Sequence, residues 1–142
     1  MAPLTEALLM NAARAQLVAQ RIRPALAAGR VVLCDRYADS TIAYQGYGRG
    51  LDIPTLRLLC LAATGGLEPH VTLLLDLTPD AAVARLSERS AADRFERENA
   101  QFFGRVRQGY VEMSRVGGRW HTLDATLAPG ALLEAAWNIL NP

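Results

Sequence analysis

The sequence predicts an α/β fold built on a parallel sheet, and three observations predict it. Short apolar runs at Val31–Cys34 and Val71–Leu77, with a third at Trp120–Asp124, read as strands. Segments with helical apolar spacing separate them, and strands alternating with helices build βα units with right-handed crossovers. The run Val71–Leu77 (VTLLLDL) is almost unbroken, which suits a strand covered on both faces. At 142 residues and 51% hydrophobic content, the chain has the length and apolar fraction of one domain with a real core.

Taken in order, residues 4 to 28 place Leu4, Leu8, Ala12, Ala15, Val18, Ile22 and Leu26 on one helical stripe. Glu6, Arg14, Gln16, Gln20 and Arg21 occupy the opposite face. Pro24 removes a backbone donor and should kink or divide this helix, and Gly29 should stop it. The strand Val31–Cys34 then ends in Asp35-Arg36 and opens into a loop rich in Gly, Tyr and hydroxyl groups, up to Gly50. Pro54 fits the first turn of a helix Pro54–Thr64 that Gly65-Gly66 end. After the strand Val71–Leu77, Thr78-Pro79-Asp80 should start a helix running over Ala81–Arg89. Residues Arg85 to Glu98 hold four arginines and four acids and read as a solvated segment. A long helix from about Asn99 to Arg115 should carry Phe102, Phe103, Val106, Tyr110 and Met113 on one stripe. Gly117-Gly118 break it, the strand Trp120–Asp124 follows, and Pro129–Leu140 closes the chain as an amphipathic helix.

Composition excludes several classes of function. A net charge of +1 provides no field for nucleic acid or an anionic membrane. No apolar run approaches the ~18 residues that cross a bilayer. Residues 1–28 lack the basic start and apolar centre of a signal peptide, so the expected location is the cytoplasm. Cys34 and Cys60 lie in apolar runs without metal-ligand spacing and read as small core residues. All 15 basic residues are arginine.

The chemistry should sit at the carboxyl end of Val31–Cys34, where ligands bind open α/β sheets. An isolated Asp35-Arg36 would be a surface ion pair. Here it precedes Ser40, Thr41, Tyr44, Gln45, Tyr47 and Arg49. Arginine holds phosphate with a planar fork, and Tyr and Gln can stack on a base and read its edge, which favours a nucleotide. Gly46-Tyr47-Gly48-Arg49-Gly50 lacks the GxGxxG spacing and by itself is a flexible turn. Arg85, Arg89 and Arg94 lie on the charged run, where a closing lid would set their charge against a triphosphate. His70 and His121 lack paired ligands, and no metal site is assigned.

The residues also resemble a known family. AARAQLV (Ala12–Val18), DRYADSTIAYQGYGRGLD (Asp35–Asp52), LLLDLTPDAAVARL (Leu73–Leu86), DRFERE (Asp93–Glu98), FFGRVRQGY (Phe102–Tyr110) and LDAT (Leu123–Thr126) resemble, in order, the bacterial thymidylate kinases. These are P-loop nucleoside monophosphate kinases. The resemblance implies transfer of the γ-phosphoryl group of ATP to dTMP, giving dTDP, with Mg²⁺ and commonly in a homodimer. It implies that Asp35-Arg36 lies at the acceptor site with Arg36 on the dTMP phosphate, and that Arg14 contacts the thymine. Thr41, Tyr44 and Gln45 fall where the family reads the base and excludes a 2′-hydroxyl. Arg89 and Arg94 look like lid arginines that supply catalytic charge, with Arg85 also toward ATP. Ala125 and Thr126 match the turn beside the adenine.

Two departures stand out. Met10 takes the place of an aromatic residue that stacks on thymine in family members. No GxxxxGKS/T occurs, and a chain without lysine cannot contain one. The resemblance therefore implies a P-loop kinase-like parallel sheet flanked by helices but incomplete, in an amino-terminally incomplete kinase that is inactive by itself. In the family's strand order the absent strand lies between those matching Val31–Cys34 and Val71–Leu77, so two interior edges should be left unpaired. Alternatives are a kinase for another deoxynucleotide or nucleoside, and a non-catalytic nucleotide-binding or dimerisation module.

Overall fold

The computed structural model describes residues 1–78, 81 and 94–141, with side chains in the 94–114 helix described from residue 100 onward. The chain forms two compact units, Met1–Glu68 and Pro69–Pro142.

In the first unit the long amino-terminal helix is interrupted as Pro24 requires. Helix α1 (Pro3–Leu17) passes into a π-helical turn over Val18–Ile22 and then into α2 (Arg23–Ala27). Pro24 has no N–H to return to the carbonyl one turn back, and the ladder widens just before it. Gly29, at φ 69°, closes the helix with its N–H on the Leu26 carbonyl at 2.9 Å. The glycine- and tyrosine-rich stretch expected as a loop is helical. It forms α3 (Ala38–Thr41) and a second π-helical turn, Ile42–Gly48. Gly46 permits this packing, because a Cβ there would stand 3.2 Å from Ile53 Cγ1 and 3.3 Å from Leu56 Cδ1. Helix α4 (Ile53–Thr64) starts as predicted, with the Asp52 carboxylate accepting the Thr55 N–H at 2.8 Å and Pro54 in the first turn. It ends at Gly65 in the left-handed conformation.

Helix α1 packs on α3, α4 and the second π-helical turn. Ala7, Val18, Ile22, Ile42, Ala43, Leu56 and Cys60 are buried between these elements, together with the polar Asn11, Thr41, Gln45 and Thr64.

The strand expected at Val31–Cys34 is not formed. These residues form no ladder, with Val31 97% and Leu33 92% exposed, and Cys34 is exposed rather than a core residue. An apolar sequence supplies the drive to bury side chains, but a strand exists only where a neighbour accepts its backbone hydrogen bonds. Among the described residues no strand pairs with it, so the expected three-stranded sheet is a two-stranded one.

That sheet lies in the second unit. β1 (Thr72–Asp76) and β2 (Trp120–Asp124) pair in parallel, with Thr72 opposite Trp120 and Asp76 opposite Asp124. Helix α5 (Arg94–Ser114) starts earlier than the apolar stripe predicts, inside the charged run, and contacts both strands. Helix α6 (Pro129–Leu140) keeps its predicted bounds and contacts β2. Flanked by these helices, the parallel sheet has the α/β character that the sequence predicts and is consistent with the incomplete P-loop kinase-like sheet that the resemblance implies. Arg107 on α5 donates to both oxygens of Asp76 at the end of β1, at 2.7 and 2.8 Å, and this pairing holds the guanidinium above its usual pKa. Thr78 accepts the Ala81 N–H at 3.3 Å, as a helix start should, while the remainder of the helix expected over Ala81–Arg89 lies outside the described residues.

Candidate functional site

The first unit gathers arginines, a tyrosine and buried amides around the turn that follows Cys34. Arg36 has φ 58°, the only non-glycine among the described residues in left-handed backbone. A side chain in that conformation costs roughly 1–2 kcal/mol and persists only where its surroundings impose it. Those surroundings are visible. Arg14 on α1 donates through Nη2 to the Tyr37 carbonyl at 3.0 Å, fixing the Tyr37–Ala38 peptide one residue after Arg36. Its Nη1 donates to Asn11 Oδ1 at 3.0 Å, and Asn11 in turn donates to the Ala7 carbonyl at 2.9 Å. Tyr37 donates its hydroxyl to the Leu67 carbonyl at 3.2 Å, and burial pushes the phenol pKa up, so the hydroxyl stays a donor. The left-handed turn is thus anchored at Tyr37, immediately after Arg36, by two hydrogen bonds to residues outside it.

The Arg36 guanidinium lies 4.9 Å from the centre of the Tyr44 ring, exposed to solvent. No ion pair joins it to Asp35, which is also exposed. The bland alternative for this pair, a mutual surface salt bridge, is therefore not what forms. A planar cation resting on an aromatic face keeps its in-plane N–H groups available for an anion.

Tyr44 and Gln45 lie on the second π-helical turn. Gln45 is 4% exposed and donates through Nε2 to Glu6 Oε1 at 2.7 Å. Glu6 also faces Arg49, whose Nη2 is 3.7 Å from Oε2. Thr41 is deeper, 1% exposed, with its side chain toward Cys60, whose thiol pKa burial raises. Asn11, Glu6 and Tyr37 were given no role by sequence reasoning. Asn11 left no signal, since an amide among alanines on a helix looks solvated. Glu6 left a faint one, standing eight residues before Arg14 and hence on the same helical face.

The residues expected toward ATP lie elsewhere. Ala125 and Thr126 follow β2 in the second unit, where Asp124 accepts both the Thr126 N–H at 2.8 Å and its hydroxyl at 2.7 Å. These bonds hold the Asp124 carboxyl below its ordinary pKa. Ala125 donates its N–H to the Asp76 carbonyl at 2.9 Å. Arg85 and Arg89 lie outside the described residues, as does the side chain of Arg94, which opens α5. Among the described residues no three His, Cys, Asp or Glu side chains converge as a metal site, and no helix is long and apolar enough to cross a membrane.

Comparison with known proteins agrees with the resemblance carried by the motifs. The family profile described as thymidylate kinase matches residues 1–135. The chain is 49% identical over 134 residues to the thymidylate kinase of Desulforudis audaxviator, covering 94% of this chain and 60% of that protein. It is 47% identical over 141 residues to that of Synechococcus sp. strain JA-2-3B'a(2-13), covering 99% and 67%. Against that of Deinococcus radiodurans it is 48% identical over 136 residues, covering 95% and 66%. The chain thus spans about three fifths to two thirds of the length of the curated relatives it matches. On the extent of the profile match and the identity to these proteins, the chain belongs to the thymidylate kinase family.

Proposed function

We propose that this chain provides the acceptor side of a phosphotransferase reaction in which the γ-phosphoryl group of ATP passes to dTMP, giving dTDP. The observation that carries the reading is Arg36, held in left-handed backbone with its guanidinium on the Tyr44 ring and the Tyr37–Ala38 peptide clamped by Arg14. Strain maintained from outside, at an exposed cation, is what a preorganised phosphate fork requires. Family membership supplies the reaction class.

In this reading Arg36 takes the dTMP phosphate and neutralises part of its charge. Arg14, Thr41, Tyr44 and Gln45, with Asp35 at the turn, frame the nucleoside. A dTMP phosphate oxygen attacks the γ-phosphorus, the bond to the β,γ-bridging oxygen breaks, and ADP leaves with the electron pair. Arg89 and Arg94 offset the charge that spreads over the transferred group. Arg85, Ala125 and Thr126 contact ATP, which arrives with Mg²⁺. The two compact units are read as parts of one kinase domain, the 85–98 run as its lid, the assembly as a homodimer and the location as cytoplasmic.

Calorimetry on the 142-residue chain tests the reading. The expected result is saturable binding of dTMP in preference to thymidine, because the phosphate engages Arg36. A sequence without GxxxxGKS/T holds no loop of that type for the β-phosphate. Incubation of this chain with ATP, Mg²⁺ and dTMP should accordingly give no dTDP. Equal binding of thymidine and dTMP overturns the acceptor reading. Competition among dTMP, dUMP and dCMP identifies the preferred base.

A further inference from the structure

Gln45 carries a feature that neither the fold nor phosphate binding requires. The side chain is more than nine-tenths buried, and its only hydrogen bond among the described residues is the one from Nε2 to Glu6. No buried side-chain nitrogen or oxygen among these residues lacks a partner, so the unpaired Gln45 Oε1 is an atom that reaches the surface. The orientation of the amide follows from chemistry alone. A carboxylate can only accept, so the NH₂ end must face Glu6 and the carbonyl end must face away. Arg49, whose Nη2 lies 3.7 Å from the second Glu6 oxygen, faces the same carboxylate from its other side.

Glu6, Met10 and Arg14 follow one another at four-residue intervals along α1 and therefore share a face. Gln45 meets that face at Glu6, and the Arg36–Tyr37 turn meets it at Arg14, with Met10 between them 53% exposed. We propose that Glu6 is a specificity-determining positioning residue. By accepting from Gln45 it fixes a carbonyl oxygen toward the bound base and so selects a nucleobase that presents a ring N–H donor. This rests on the acceptor-site reading above. Thymine and uracil carry a donor at N3. Cytosine carries a lone pair there, which would face Oε1 and leave two acceptors opposed without a proton.

Glu6→Gln tests it, because a glutamine at position 6 can donate as well as accept and frees Gln45 to turn over. Binding of dTMP and dCMP to the folded wild-type and E6Q chains is measured by calorimetry, with circular dichroism as the check on folding. The expected result is that the dTMP preference falls by at least about tenfold. The fall should arise from tighter dCMP binding, while dTMP affinity stays within about threefold. General damage cannot produce a gain in dCMP affinity. An unchanged preference in an E6Q chain that still binds dTMP overturns this inference alone. Failure of the folded wild-type chain to bind dTMP overturns the acceptor-site reading and this inference with it. Should E6Q not fold, dTMP methylated at N3 serves with the unaltered chain. It should bind at least about tenfold more weakly than dTMP, and equal binding overturns the inference.

Discussion

In residues 1–68, helices converge on a core that mixes apolar and polar side chains: Leu56, Ile42 and Ala43 beside Asn11, Thr41, Gln45 and Thr64. In residues 69–142, a two-stranded sheet and its helices bury Val106, Met113 and Leu123 among the described residues, and α6 buries none. Phe103, Leu133 and Trp137 remain largely exposed. The first unit carries the cluster around Arg36 proposed as the acceptor site, and the second carries Ala125 and Thr126. The contrast teaches how each set is held. Arg14 and Gln45 are fixed by hydrogen bonds that arise from packed helices, so their geometry depends on the integrity of a core. Thr126 is fixed by a bond to Asp124 two residues away, which needs little beyond its own turn.

The largest expected effect tests that dependence. Leu56→Ala removes a side chain that is 1% exposed at the junction of α4 and the second π-helical turn, and should cost about 2–5 kcal/mol of stability. Chemical denaturation should show the loss, and dTMP affinity should fall with it. A comparable affinity in the folded fraction would mean that the site does not lean on this core.

Next in size is Arg36. Arg36→Ala should weaken dTMP binding by about 1.5–3 kcal/mol through loss of a charge-assisted phosphate contact. Arg36→Gly should bind as poorly but be more stable than the alanine variant by about 1 kcal/mol, because glycine accepts φ 58° without strain. Equal stability of the two variants would show that the turn stores no strain.

Smaller effects belong to the second unit. Arg107→Ala breaks a bidentate but partly exposed pair with Asp76 and should cost no more than about 1 kcal/mol, measured by thermal unfolding. The smallest effect is shared by both units. Asp52 and Asp124 are held below their ordinary pKa by hydrogen bonds from Thr55 and Thr126. A lowered folded-state pKa stabilises above the unfolded value and ceases to do so as pH falls through the folded one. Their contribution should therefore be constant near neutrality and decline below about pH 4. The double variant Asp52→Asn, Asp124→Asn should lose part of that acid dependence in a series of melting temperatures.

Much of the second unit could be read from residues alone. The apolar run Val71–Leu77 contains β1, Trp120–Asp124 is β2, and Pro129–Leu140 is a helix with the predicted bounds. In the first unit Pro54 and Gly65 marked α4, and Pro24 and Gly29 marked the break and the end of the first helix. These signals are local: a proline without a donor and a glycine free to turn left-handed. Arg36 was legible as a candidate phosphate ligand because a guanidinium limits the chemistry open to it, whereas Arg14 became a candidate only through the family resemblance.

Other features depended on partners distant in sequence. Val31–Cys34 has the composition of a strand, but a ladder requires a second backbone, and composition cannot supply one. Gly46 looked like part of a flexible turn until Ile53 and Leu56 packed against it. The left-handed Arg36 follows from a clamp set by Arg14, 22 positions earlier, and the orientation of Gln45 from Glu6, 39 residues away. By itself the sequence determined the residue types at the proposed site, the helix ends marked by proline and glycine, and the family. Only the tertiary structure decided which strands exist and which way the site's arginine and amide face, because pairing, burial and hydrogen-bond direction are properties of neighbours in space.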